Sequence, residues 1–345
     1  MSLTESARKL RRPSGYVPAL VVTIAILLPL ALTSSWQNIL ILTVIMAGVA
    51  TSWNLFGGYT GYFSLGHVVF FGLGAYTTTL LYTTYGIPPV ATIVVGMLLS
   101  VLASLLIGKA TLSLDGHYFA LATLGSVIIA QELFAYFEEY TGGPAGIQLA
   151  FEPGVTTLMF RNRVFNYYIA VGYLLGVLAI TLYIDNRKFG YYLKAIREDE
   201  DATKMLGADT DQLKIRAFAL SAALSSIGGS LWITYTLFID PSLAFDLFRS
   251  LYFVLYPLIG GLGTIMGPVV GTVLIDPIRA IFSQVFGGSV APITNMIYGL
   301  ILMVVVLVFP EGIVKRLRNT YRQWIDRLPT LGADEGANRP SEEQQ

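Results

Sequence analysis

The chain has 345 residues, 54% of them hydrophobic and only 13% charged, with Lys+Arg equal to Asp+Glu and a mean hydropathy of +0.64. A water-soluble globule needs charged surface somewhere along every hundred residues, and this composition does not supply it. Zero net charge and a pI near 6.7 leave no footprint for nucleic acid, and the lack of Cys excludes disulfides and thiolate metal sites.

In chain order, Arg8, Lys9, Arg11 and Arg12 precede the apolar run Val17–Ser34. That run is long enough to span a bilayer and lacks a small-residue cleavage site, so it reads as the first transmembrane helix rather than a signal peptide. No Asp, Glu, Lys or Arg then occurs from Pro13 to Gly108. About 20 apolar residues cross the hydrocarbon core once, so this stretch holds four crossings. Further uncharged runs are Gly116–Gln131, Val164–Ile184, Ala217–Ile239, Ser250–Ile275 and Ala280–Pro310. The expectation is an all-α integral membrane protein of about ten transmembrane helices. They fall near 17–35, 37–56, 62–85, 90–109, 116–137, 164–184, 214–238, 249–262, 267–286 and 292–310. One transmembrane domain covers 16–310, between a cytoplasmic N-terminus (1–15) and a cytoplasmic tail (311–345) whose end reads as disordered.

Lys and Arg sort the loops. With ten helices, the N-terminus, Lys109, the 185–216 loop and the tail share one side and hold 18 of the 22. The other side gets Arg161, Arg163 and Arg249, and Arg279 falls inside a span. The positive-inside rule then places both termini in the cytoplasm. The segment 249–262 is too short to cross straight and runs into GGLGTIMGP, so a broken or re-entrant element is expected near 249–270.

Two segments outside the spans are long enough to contact a partner. The external loop 138–163 carries TGGPAGI; the cytoplasmic loop 185–216 carries REDEDATKMLG, the densest charge in the chain. Leu193, Ile196, Met205 and Leu206 give an apolar side, and Glu200–Lys204 form an i,i+4 pair on the solvated side. Gly207 is a natural helix stop. The reading is a short amphipathic helix over 193–207, which on periodicity alone is a solvated linker between two spans.

Other chemistry is sparse. GGYTGYFSLG and GGLGTIMG lack the Lys-Ser/Thr of a phosphate loop and lie beside spans, so they read as close helix packing. His67 and His117, near helix starts, fit hydrogen bonds to backbone or headgroups better than a metal pair or proton relay. Asp276 and Arg279, three residues apart with Pro277 between them as a potential kink, share one face inside a span. They read as a self-neutralising structural pair, with gating or contact to a zwitterion as the functional alternative. A secondary transporter would need more ionisable residues in its spans, and a membrane enzyme would need converging His, Asp, Glu or Cys.

Four motifs carry a resemblance. Asp201-Ala202-Thr203 followed by Gly207 is similar to the EAA-x-x-x-G loop of ATP-binding-cassette (ABC) importer permeases. The wider stretch AIREDEDATKMLGADTDQLKIRAFALSAALSSIGGSLW (195–232) resembles the branched-chain amino-acid ABC permeases, LivM type. So do GGYTGYFSLGHVVFFGLGAYTTTLL (57–81), TGGPAGI (141–147) and VLYPLIGGLGTIMGPVVG (254–271). The resemblance implies an ABC importer permease fold and a non-catalytic subunit that moves leucine, isoleucine or valine. The same pattern is shared by urea and short-chain amide permeases, and an ion-coupled secondary transporter is the rival from another class. Implied partners are a homologous, LivH-like permease subunit, two cytosolic ATPases carrying ATP and Mg, a periplasmic or extracellular binding protein, and membrane lipid; this chain binds no cofactor. The implied location is the prokaryotic plasma (inner) membrane. ATPase coupling falls on Ile196, Arg197, Glu198, Asp201, Ala202 and Gly207. Tyr62, Ser64, Gly66, His67, Asp276 and Arg279 fall on the permeation path or on helix packing. Thr141, Gly142, Gly143 and Gly146 fall on binding-protein docking. Tyr62 stands where many relatives carry Gln, which bears on specificity if that position meets substrate.

Overall fold

The computed structural model describes residues 28–30, 32–114, 116–285 and 299. The segment 1–15, most of the span expected near 17–35, nearly all of that near 292–310, and the tail 311–345 lie outside the described residues. The chain order is α1 (Ser34–Thr60), α2 (His67–Tyr85), α3 (Pro89–Thr111), α4 (Gly116–Tyr136), α5 (Glu138–Thr141), β1 (Ile147–Gln148), α6 (Arg163–Asp185), α7 (Lys188–Glu198), α8 (Glu200–Met205), α9 (Thr210–Thr236), β2 (Phe238–Ile239), α10 (Pro241–Ala244), α11 (Leu247–Gly261) and α12 (Gly267–Val285). Among the described residues six segments are long and apolar enough to cross a membrane: α1, α3, α4, α6, α9 and the stretch Pro241–Gly261. The other members of the expected ten are α2 and α12, each 19 residues, and the two spans outside the described residues.

α1 and α9, 27 residues each, form the buried centre. α3 and α4 lie outside them and turn Val94, Leu98, Leu102, Leu106, Leu121, Ile129 and Leu133 outward. Lipid is as apolar as leucine, so helices are held here by close approach of small residues rather than by burying oil. α3 shows this in its sequence: its buried residues Thr92, Gly96, Ser100, Ser104 and Gly108 recur every four positions. From that stripe the Thr92 hydroxyl donates to Thr78 Oγ1 (3.1 Å) and the Ser100 hydroxyl to Phe70 O (3.3 Å). On α9, a Cβ at Gly229 would strike the backbone of Phe71, and one at Gly228 would strike Val49.

α2 begins later than the expected 62–85. α1 stops at Gly61, whose φ of 79° suits glycine and whose N–H donates to Gly57 O. Residues 61–66 then fold back along α1: Trp53 Nε1 donates to Ser64 O (2.7 Å) and Leu65 N to Thr123 Oγ1 (3.0 Å). His67 therefore starts α2 beside the middle of α1, its Nε2 2.7 Å from Ser221 Oγ, which in turn donates to Ser52 O. The indole and the hydroxyls satisfy a non-helical backbone that apolar side chains would leave unpaired, which no hydropathy pattern reports.

The chain breaks again near 262–266, inside the element expected near 249–270. Gly261 and Gly263 both have positive φ, and α11 and α12 return as a hairpin so tight that a Cβ at Gly260 or Gly271 would strike the partner backbone. At one end of the bundle lie the end of α3 with Lys109, the charged 185–216 loop, and the end of α1. At the other end lies 138–163, where β1 pairs antiparallel with β2 and Val90 N donates to Thr156 O.

Candidate functional site

The charged loop is two helices, α7 and α8, where one amphipathic helix was expected over 193–207. Asp199 breaks it: extended at φ −159°, ψ 108°, its carboxylate accepts from Ala202 N (2.9 Å) and caps α8. Gly207, at φ 86°, ends α8 as expected. Leu193 and Ile196 are buried under α7, but Met205 and Leu206 are 88% and 89% exposed, so they do not continue that apolar side.

Glu200 is not on a solvated face. It forms the expected pair with Lys204 (2.9 Å), yet its carboxylate also receives Lys214 Nζ (2.7 Å), Tyr62 OH (2.6 Å) and Thr210 Oγ1 (3.1 Å). Lys214, only 2% exposed, also reaches Leu112 O and Asp211 and lies 4.7 Å above the Tyr62 ring. Burial tends to raise the Glu200 carboxyl, but the hydrogen bonds from Lys214, Tyr62 and Lys204 outweigh it and hold the pKa down at about 2. Tyr62 is thus a strut between the 61–66 turn and the loop, where a substrate-facing residue was one expectation.

α7 is fixed independently. Lys194 pairs with Asp185 (2.5 Å), which also accepts from Tyr59 OH (2.7 Å). Arg197 Nη1 donates to Gly58 O (2.7 Å) near the end of α1. Four residues up α1, Asn54 holds the α11–α12 turn from both sides: its Oδ1 accepts from Gly263 N (2.9 Å) and its Nδ2 donates to Thr264 O (2.9 Å). The loop is therefore joined through α1 to the α11–α12 hairpin. Of the expected coupling residues, Ile196 is interior, Arg197 makes this tie, and Glu198, Asp201, Ala202 and Gly207 face outward.

Within the bundle, Asp276 is 1% exposed and saturated: Oδ1 accepts from Tyr256 OH (2.9 Å) and Arg279 (Nη2 2.9 Å, Nε 3.1 Å), and Oδ2 from Thr43 (2.9 Å). α12 continues through Pro277. His67 is fully buried, ringed by Trp53, Phe56, Phe70 and Phe218, while His117 is exposed on α4. The partner of His67 is thus a serine hydroxyl, where backbone or headgroup contact was expected. Ser64 and Gly66 are also interior; a Cβ at Gly66 would strike Thr123 O.

In the opposite loop, Thr141 is buried and donates to Phe134 O and Phe137 O, while Gly142, Gly143 and Gly146 all have positive φ and lie against Glu138, Ile147 and Phe238. These four shape the loop from inside. The surface it offers is made by Pro144, Gln148, Phe151, Glu152 and Val155. Sequence reasoning gave Lys214 and Asn54 no role and counted Arg249 only among the charges on the side opposite the termini; Lys214 at the foot of a long apolar helix was the one signal available.

Residues 35–307 match the family described as branched-chain amino acid transport system, permease component. The chain is 29% identical over 283 residues to the high-affinity branched-chain amino acid transport system permease protein LivM of Salmonella typhimurium, covering 75% of this chain and 66% of that protein. To LivM of Escherichia coli K12 it is 28% identical over 287 residues, with the same coverage, so it spans about two thirds of these relatives' length. It is also 26% identical over 142 residues to the permease protein LivH of S. typhimurium, 41% of this chain and 44% of that one. No solved structure matches. The match runs from the second residue of α1 through α12, including the ends tied together by Arg197, Asn54 and Glu200, and the chain belongs to the branched-chain amino acid transport system permease family.

Proposed function

We propose that this chain is one permease subunit of an ABC importer for leucine, isoleucine or valine. A homologous permease subunit pairs with it, two cytosolic ATPases bind and hydrolyse ATP, and a binding protein delivers the amino acid at the end carrying 138–163. Both termini and the 185–216 loop then face the cytoplasm. The observation that carries this reading is the tip of the loop. Met205 and Leu206 are exposed side by side at the end of α8, while Glu200, three hydrogen-bonding side chains and a buried lysine fix its base. A solvated linker has no reason to hold two large apolar side chains in water on so rigid a base. Names of the LivM and LivH relatives support the cargo class.

The test is ATP-driven uptake of tritiated leucine by the full complex in proteoliposomes. Met205→Asp combined with Leu206→Asp leaves membrane insertion intact and removes ATPase co-purification and uptake together. Wild-type uptake of urea or acetamide but no branched-chain amino acid would reassign the cargo.

A further inference from the structure

Between α1, α9, α11 and α12 lies a cavity of roughly 220 Å³ whose wall contains Arg249, Asp246, Asp276 and Arg279. At about 30 Å³ per water it holds several waters, or one small solute. Asp276 and Arg279 neutralise one another. Arg249 does not follow them: its Nη1 is buried without a hydrogen-bond partner, and its guanidinium lies over the rings of Trp232 (4.5 Å) and Phe71 (5.1 Å). A buried cation lacking a donor–acceptor match is costly, and in a membrane span it marks a ligand path. Asp246 lines the same cavity and accepts from Phe248 N at the start of α11. Leu42, Met46 and Phe253 supply an apolar wall. A second cavity of roughly 440 Å³, at the 138–163 end, shares Leu42 with it and is lined by Asn38, Arg161 and Arg163.

We infer that the inner cavity is a transit subsite for an α-amino acid, with Arg249 as its carboxylate anchor and Asp246 on the ammonium side. This rests on the reading that the chain transports amino acids. The charge inventory gives the chemical class: once Asp276 and Arg279 are set against each other, one cation, one anion and an apolar wall remain. A zwitterion with an aliphatic side chain matches all three, and a neutral amide such as urea matches none of the charges. The guanidinium fork makes two parallel hydrogen bonds to a carboxylate, which an amide cannot accept.

The experiment uses the complete complex in nanodiscs, without nucleotide or binding protein, and measures tritiated leucine retained at up to millimolar concentration. Unlabelled leucine displaces it, 4-methylpentanoate displaces it more weakly, and leucinamide and urea do not. Arg249→Gln lowers retention and ATP-driven leucine uptake by roughly ten- to a hundredfold, the range for one lost charge-assisted contact. Arg249→Lys restores part of both. Displacement by leucinamide as strong as by leucine, no retained leucine in the wild type, or wild-type uptake by Arg249→Gln would each overturn the subsite while leaving the transport reading standing. Should Arg249→Gln fail to assemble, the wild-type displacement series decides alone. Absence of any wild-type leucine uptake sinks the transport reading instead.

Discussion

Glu200 and Lys204 form the i,i+4 pair that helix spacing suggests, yet the two ends of that pair have different surroundings. Lys204 is about half exposed, and an exposed pair of this kind contributes only about 0.3–0.5 kcal/mol, so Lys204→Gln leaves thermal stability and uptake nearly unchanged. Glu200→Gln removes the carboxylate from a lysine that is 2% exposed. Breaking one side of a buried ion pair costs about 3–5 kcal/mol, and Glu200 retains some solvent contact, so the expected loss is nearer 2–3 kcal/mol. It appears as faster amide exchange across 188–210. The carboxyl is depressed to about 2 in the folded loop and is near 4.3 unfolded. A depressed acid stabilises at every pH above its unfolded value and loses that contribution as pH falls through the folded one. Loop protection is therefore flat from neutral pH to about 5 and declines between about 4 and 2. The same exchange experiment on Glu200→Gln shows no such decline; a parallel decline would place the proton elsewhere.

At the scale of elements, α7 and α8 act as a lever only if their far end is tied to something that moves. Arg197 to Gly58 and Asn54 to Gly263 and Thr264 make that tie, from the loop through α1 to the α11–α12 turn. Asn54→Leu keeps the branched shape and removes both bonds, leaving the Gly263 N–H and the Thr264 carbonyl unpaired at a cost of about 1–3 kcal/mol each. It keeps the ATPase bound but lowers substrate-stimulated ATP hydrolysis. Gly207 sits in open space, so no clash opposes a side chain there, but its φ of 86° does. Gly207→Val leaves insertion normal and abolishes stimulated hydrolysis and uptake together. Ala202→Trp, on the exposed face of α8, weakens ATPase co-purification. If both variants transport at the wild-type rate with the ATPase bound, α8 is a linker.

Across the whole molecule, the charged loop and Lys109 lie at one end, with Arg161, Arg163 and the acidic residues Glu138, Glu139 and Glu152 at the other. That arrangement supports the orientation in which the 185–216 end is cytoplasmic. Reporter fusions at Gln345 and within 144–160 give opposite signals on this topology, and equal signals break it. A Cys placed at Gln148 or Glu152, both exposed, cross-links to the binding protein; efficient cross-linking to the ATPase instead inverts the orientation.

Composition alone determined that this chain lives in a membrane and is helical, because a run without charge from Pro13 to Gly108 has no other stable home. Motif spacing located the loop and its Gly207 stop. The every-fourth small residues of α3 are helical geometry written into the chain as well, but the sequence reading passed over them. What the tertiary structure decided is everything made by residues far apart in sequence. Glu200 is solvated or buried only according to where Lys214 and Tyr62 come to rest. The fold-back at 61–66 depends on Trp53 as a donor and Thr123 as an acceptor, and the tie from loop to hairpin depends on Asn54 meeting a turn more than two hundred residues away. Periodicity reports which face of a helix is apolar; it carries no information about which polar group, from which other helix, will be there to satisfy an unpaired one.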